Sequence, residues 1–153
     1  MNIEIPNKND LKRINELACQ VHELHVGWRP DLFISVEEVI NEIYLEKLIN
    51  DKNIYVAKMN NEIVGYIIIS IVEKINPSMR YRKQLNIEAI CVDEIYRGMG
   101  IGKKLLNFIK NIALENDCTD MYLTVNEENI NAQKLYESMG MKVKNLAYSM
   151  RRK

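Results

Sequence analysis

Arg97, Gly98, Gly100, Gly102 and Lys103 crowd into one turn, between an apolar run ending at Val92 and a helical pattern beginning near Leu105. Glycine lets backbone N–H groups approach an anion closely, and a helix N-terminus behind them adds partial positive charge. Arg97 and Lys103 place formal charge on either side. Cradling a phosphate is the chemistry such a turn serves. Spacing then separates the loops that look alike. The third glycine of a dinucleotide fingerprint counted from Gly98 and Gly100 would fall at Lys103. A Walker loop would need glycine in place of Arg97 and Ser or Thr in place of Lys104. A kinase glycine loop leads into a strand, whereas this turn leads into a helix. What remains is Arg-x-x-Gly-x-Gly at Arg97, Gly100 and Gly102.

The elements around the turn follow from periodicity. Asn2 to Ile5 alternates as a short strand, and Leu11, Ile14, Leu17, Ala18, Val21 and Leu24 repeat at helical spacing until Trp28-Arg29-Pro30. Ser35 with Glu38 reads as a capping box opening a second helix with an apolar stripe of Val39, Ile40, Ile43 and Leu48. Ile54 to Met59 and Ile63 to Val72 are strands joined by a hairpin turn at Asn60-Asn61-Glu62. Asn76 to Lys83 is a polar loop, and Leu85 to Val92 is the strand that runs into the glycine turn. Leu105, Leu106, Ile109, Ile112 and Ala113 give the next helix one apolar face. Met121 to Val125 reads as a strand and Asn126 to Met139 as a helix with its cap at Gly140; Met141 to Val143 and Leu146 to Met150 read as closing β-structure. The order βααβββαβαβ predicts one α/β domain over residues 1–153 with a mixed sheet.

Composition bounds the function. The chain has 153 residues, 47% hydrophobic and 27% charged, with a formal net charge of zero. That balance gives no support to nucleic-acid or membrane partners, and no run approaches the roughly 18 apolar residues of a membrane span. The first residues lack the layout of a signal peptide. Cys19, Cys91 and Cys118 are too scattered for a disulfide framework or zinc site, which predicts a reducing, cytoplasmic setting and no metal. His22 and His25 sit three apart, one residue short of a metalloprotease pair, and read as surface or cleft histidines. The acidic residues Glu37, Glu38, Glu42 and Glu46 could attract a cationic amine, though a solvated helix face is the default reading.

A second motif lies downstream. Asn129-Ile130-Asn131-Ala132-Gln133-Lys134-Leu135-Tyr136-Glu137-Ser138-Met139-Gly140-Met141 follows N-x-x-A-x-x-L-Y-x-x-x-G-F, with Met141 in place of Phe. Together with the Arg97–Gly102 turn it resembles the GNAT superfamily of acetyl-CoA-dependent N-acetyltransferases, and the element order agrees over essentially the whole chain. The resemblance implies the GNAT (acyl-CoA N-acyltransferase) fold, a mostly antiparallel sheet flanked by helices. It implies that Arg97, Gly98, Met99, Gly100, Ile101, Gly102 and Lys103 hold the coenzyme pyrophosphate. By the same resemblance the main chain of Ile90, Cys91 and Val92 pairs with the pantetheine arm. Asn129 then hydrogen-bonds the coenzyme, and Tyr136 serves as general acid toward its sulfur.

The reaction so implied is direct transfer of an acetyl group to a primary amine of a small molecule or peptide. A lysine-like amine has a pKa near ~10.4, so a deprotonation deficit of about 4–5 kcal/mol at pH 7 must be offset by a base or a desolvated site. Glu88 is the candidate base. Strand alternation would place it on one face with Ile90 and Val92, partly desolvated and with a raised pKa. Relatives that modify ribosomal-protein N-termini often carry Glu where this chain has Thr124, which leaves a water relay as the alternative. Cys91 reads as a small buried hydrophobe rather than a nucleophile. The segment His25 to Phe33 would border the acceptor, and terminal-strand pairing, common in the family, would make a homodimer. A non-catalytic acyl-CoA sensor with the same fold is the competing expectation.

Overall fold

The computed structural model describes residues 1–152. The elements are β1 (Asn2–Glu4), α1 (Leu11–Trp28), α2 (Glu42–Asn50), β2 (Ile54–Met59), β3 (Glu62–Lys74), β4 (Arg82–Val92), α3 (Ile101–Glu115), β5 (Asp120–Tyr122) and α4 (Ile130–Ser138). The strands form one five-stranded sheet in the order β1-β2-β3-β4-β5. Neighbours are antiparallel up to β4, and β5 then pairs with β4 in parallel. That parallel pair follows from connectivity, because α3 carries the chain back to the same end of the sheet.

Alternation along the strands builds a core on each face of the sheet. Tyr66 and Ile68 of β3 join Ile14 and Leu17 of α1 and Leu45 and Leu48 of α2. Ile67 and Ile69 point the other way, into Leu105, Leu106 and Ile109 of α3 and Tyr136 of α4. The β2–β3 hairpin turns through Asn60 and Asn61, both with positive φ (51° and 64°), the conformation that Asn tolerates best after Gly.

Several boundaries depart from the periodicity. The Ser35–Glu38 capping box does not form: Ser35 Oγ donates to Glu23, and α2 begins at Glu42 with Asn41 as its cap. Asn15 explains the delay. Its Oδ1 accepts from Val39 N and Ile40 N at 2.8 and 3.0 Å while its Nδ2 donates to Glu37 O at 2.8 Å. A side chain from α1 thus takes the backbone groups that a helix would have used. The expected loop at Asn76–Lys83 is shorter, because Arg82 and Lys83 extend β4 against Lys74 and Glu73.

The C-terminal half departs further. The strand expected over Met121–Val125 pairs only over Asp120–Tyr122. No strand forms over Met141–Val143 or Leu146–Met150. Among the described residues the last backbone–backbone hydrogen bond runs from Met141 N to Tyr136 O, and nothing follows. β5 leaves the ladder after Tyr122, and alternation alone supplies no partner strand, so the terminal segment pairs with no strand of its own chain. Val143, Leu146, Tyr148 and Met150 stay exposed, Met150 at 96%. Lys144 lies over the Tyr122 ring at 5.6 Å, and Arg151 reaches Asp31 at 3.3 Å.

Candidate functional site

The site is built on the end of β4. Its ladder with β3 runs the length of the strand, whereas β5 pairs only with Gln84, Leu85 and Asn86. From Ile87 to Val92 the edge of β4 that faces β5 is therefore open, a slot that ends on the glycine turn. The alternate backbone N–H and C=O groups of that edge are what an extended chain would pair with.

The turn itself is prepared locally. A single 3₁₀ turn at Glu94–Tyr96 starts from Asp93, whose side chain accepts from Ile95 N at 3.3 Å. Arg97 Nε donates back to Val92 O at 3.3 Å. Gly98 and Gly100 both take φ of +81°, where any Cβ is strained, and each has open space where the side chain would be. Gly102 is needed for a different reason: a Cβ there would lie 2.9 Å from Leu135 Cδ2, so glycine lets α3 approach α4. No side chain caps the start of α3, and its first turn contains no acidic residue. Its leading N–H groups thus face open space with Arg97 and the exposed Lys103 alongside. An anion such as a pyrophosphate fits this arrangement.

Ile90 and Val92 join the core on the α3–α4 side of the sheet, the same core that holds Tyr136 and that Leu135 and Ala132 border. Tyr136 is 9% exposed, and burial raises its phenol above the ordinary value, so it stays protonated through the neutral range. Asn129 caps α4, with Oδ1 accepting from Ala132 N at 3.2 Å. Cys91 faces the opposite core: its Sγ donates to Leu17 O at 3.1 Å, and burial pushes the thiol up to about 12. A thiol so placed is no nucleophile at neutral pH.

Glu88 does not share a face with Ile90 and Val92. In the β3–β4 ladder Ile68 pairs with Ala89 and Ile69 with Ile87, so Glu88 is the extra residue of a β-bulge. The bulge turns it toward the α1–α2 side, where it is exposed and accepts a hydrogen bond from Ser70 Oγ at 2.7 Å. Tyr44 of α2 lies near enough that, after burial, the Glu88 carboxylate adds to the rise of its phenol pKa. Neither Ser70 nor Tyr44 carried a signal in the sequence, since each matters only through the register at the bulge.

The histidines take structural roles. His22 Nε2 lies 2.7 Å from Ile34 O, and its ring meets Phe33 edge-on at 5.9 Å. His25 meets Trp28 edge-on at 5.4 Å and lies tilted against Phe33 at 5.3 Å. Among the described residues no group of His, Cys, Asp and Glu could hold a metal ion, and no helix is long and apolar enough to cross a membrane.

The family model for the acetyltransferase (GNAT) family matches residues 13–141. A spermine/spermidine N(1)-acetyltransferase of Bacillus subtilis is 38% identical over 55 residues, 35% of this chain and 36% of that protein. A thialysine N-epsilon-acetyltransferase of Bos taurus is 34% identical over 58 residues, 38% of this chain and 34% of its own. The matches thus span about a third of the length of these curated relatives. Among solved structures, a mutant form of the BH1408 protein from Bacillus halodurans superposes with a TM-score of 0.95 at 28% identity, covering 99% of both chains. An aminoglycoside N-acetyltransferase, AAC(6')-Iy, solved in complex with CoA, superposes with a TM-score of 0.72 at 17% identity over 99% of both chains, a likeness of fold alone.

Proposed function

The chain belongs to the GNAT acetyltransferase family, and we propose that it transfers the acetyl group of acetyl-CoA directly to a primary amine of a small molecule or peptide. The observation that carries this reading is the open edge of β4 ending on an uncapped helix N-terminus behind Gly98 and Gly100. One feature accepts an extended arm and the other its phosphates, in a single line. Arg97 to Lys103 would hold the pyrophosphate, Ile90 to Val92 the arm, and the free amide nitrogen of Asn129 a polar group of the coenzyme. The coenzyme supplies an acetyl group already activated as a thioester.

The chain supplies the proton handling. Tyr136 keeps its proton because burial opposes ionisation, so it is a donor for the departing sulfur rather than a base. Glu88, exposed at the bulge beside Ser70 and Tyr44, takes the proton from the incoming amine directly or through a water. Glu88 and Tyr136 lie on opposite faces of the sheet, which supports a base on one side of the slot and an acid on the other. The names of the relatives support amines as the acceptor class. Three unpaired cysteines support the cytoplasm as the setting.

The decisive experiment measures acetyl-CoA binding and then release of free CoA across polyamines, aminoglycosides, amino acids and peptides. Binding that is lost in Gly100→Asp, with release on at least one amine, is the expected result. Tight binding without transfer to any amine would make the protein a sensor.

A second copy of the chain is the partner we propose for the terminal segment. Leu146, Tyr148 and Met150 alternate as in a half-buried strand yet stand exposed. A groove of about 380 Å³ lies among α3, β5 and the end of α4, with Leu114, Met121 and Met139 beside Lys110, Asp120 and Lys142. A chain with an unpaired strand pattern and an unpaired edge can satisfy both by reciprocal exchange. Light scattering should give a dimer, and deletion of residues 145–153 a monomer; a monomeric full-length chain would end this reading.

A further inference from the structure

Residues 93–96 join β4 to the glycine turn, and α1 holds this junction. Arg13 Nη2 donates to Asp93 Oδ2 at 2.5 Å, and Arg13 Nε donates to Ile63 O at 3.0 Å. Two turns along the same helix, Gln20 Nε2 donates to Asp93 Oδ1 at 3.3 Å. Its Oε1 accepts from Glu94 N at 3.1 Å, so one amide grips two successive residues. Asp93 N donates to Val64 O at 2.8 Å, which completes the anchorage from the sheet. The Asp93 side chain is only 6% exposed, although Glu94, Ile95 and Arg97–Gly100 around it are exposed.

That contrast separates anchoring from ordinary core packing. Between Asp93 and α3, one further backbone bond, Tyr96 N to Asp93 O at 2.9 Å, holds the main chain. The exposed residues Arg97–Gly100 therefore take their direction from Asp93 and Glu94, while α3 is seated by its own core residues. Charge points the same way. A buried carboxylate beside an anion site opposes binding unless it is neutralised, and the Arg13 guanidinium neutralises this one.

We propose that Arg13 and Gln20 are positioning residues for the donor: acting through Asp93 and Glu94, they preorganise the amides of the glycine turn for the coenzyme pyrophosphate. This rests on the reading of that turn as the coenzyme site. It also gives α1 two separate tasks. Arg13 and Gln20 serve the donor turn, whereas Asn15 serves residues 37–40. The two tasks can be cut independently.

The test is calorimetric titration of coenzyme A into the purified protein, with thermal unfolding of every variant measured in parallel. Gln20→Leu keeps the shape and removes both hydrogen bonds; it is expected to weaken coenzyme A binding about tenfold. Affinity should fall in the order Arg13, Arg13→Lys, Arg13→Met, since Lys keeps the charge and loses the fork. Asn15→Ala should lower the melting temperature while binding coenzyme A as the wild type does. The proposal is overturned if Gln20→Leu and Arg13→Met bind as tightly as the wild type. It is equally overturned if Asn15→Ala weakens binding as much as they do, because affinity would then track stability alone. Gly100→Asp separates the two claims. Wild-type binding by that variant removes the coenzyme site itself; loss there with full binding by Gln20→Leu removes only the role of α1.

Discussion

Ser70 Oγ and Glu88 Oε1 meet at 2.7 Å across two strands that are out of step by one residue at that point. Strict alternation counted back from Ile90 and Val92 would turn Glu88 toward α3 and α4. The mismatch delivers a carboxylate to the α1–α2 side and gives it a hydroxyl to hold its rotamer. Replacing Glu88 by Gln preserves the Ser70 contact and removes the carboxylate proposed as the base. With an amine acceptor in hand, kcat should fall about 10²-fold or more, the usual range for a lost general base. Isothermal titration should show acetyl-CoA affinity unchanged. An unaltered kcat would assign proton removal to another group.

Tyr136→Phe tests the opposite side of the slot. The ring and its packing with Leu105 and Ile109 are retained, so the melting temperature should hold. Turnover should drop about 10- to 100-fold for loss of a positioned acid. Steady-state kinetics at saturating acetyl-CoA decides the matter, since full turnover in Tyr136→Phe would reduce the tyrosine to packing.

The glycines of the turn should fail in different ways. In Gly102→Ala the new methyl meets Leu135 Cδ2 at 2.9 Å, and relief requires α4 to shift or Leu135 to change rotamer. Leu135 Cδ2 ends a flexible side chain and Ala is the better helix former, so urea denaturation should show a loss of no more than about 1 kcal/mol. Adding Leu135→Ala removes the clash, so the double variant should lose less than the two single costs added together. Gly100→Ala has open space and is instead strained by its left-handed backbone, at about 1–2 kcal/mol. No substitution at Leu135 should change that.

His25 predicts a pH dependence of stability. Burial first, and the neighbouring His22 second, lower its pKa below the ordinary imidazole value. An unfolded histidine gains its proton near ~6.5, so below that pH the unfolded state binds more protons than the folded one. Stability is full above about pH 6.5 and declines as pH falls toward the depressed folded value. Thermal melts from about pH 8 to pH 5 should show the decline, and His25→Phe, which retains an aromatic ring beside Trp28 and Phe33, should flatten it. An identical slope in the variant would place the titrating group elsewhere.

Much of this was legible in the sequence, for identifiable reasons. Local chemistry marked the Asn60–Asn61 hairpin, the cap at Gly140 and the glycine turn, because each depends on the conformational preferences of the residue itself. Tertiary competition was not legible. Nothing near Ser35 announces that Asn15, far back on α1, will take the amides of Val39 and Ile40. The bulge at Glu88 is invisible to strict alternation, which carries the wrong face back from Ile90 and Val92. The terminal segment reads as a strand because alternation describes a side-chain pattern and says nothing about whether a neighbouring edge exists. Arg13, Gln20 and Asp93 gave no warning either, since a lone Arg or Gln on a helix is ordinarily solvated.

The short ladder between β4 and β5 has a mechanical meaning. Three residue pairs, Gln84–Asp120 to Asn86–Tyr122, are all the sheet pairing that joins the β1–β4 half to the strand leading into α4. An extended ligand pairing along Ile87–Val92 would supply the missing rungs and act as a temporary strand. Occupancy would then stiffen α4 against the rest, slowing amide exchange there and raising the melting point with ligand concentration by mass action. The substrate would be, for as long as it is bound, a part of the fold.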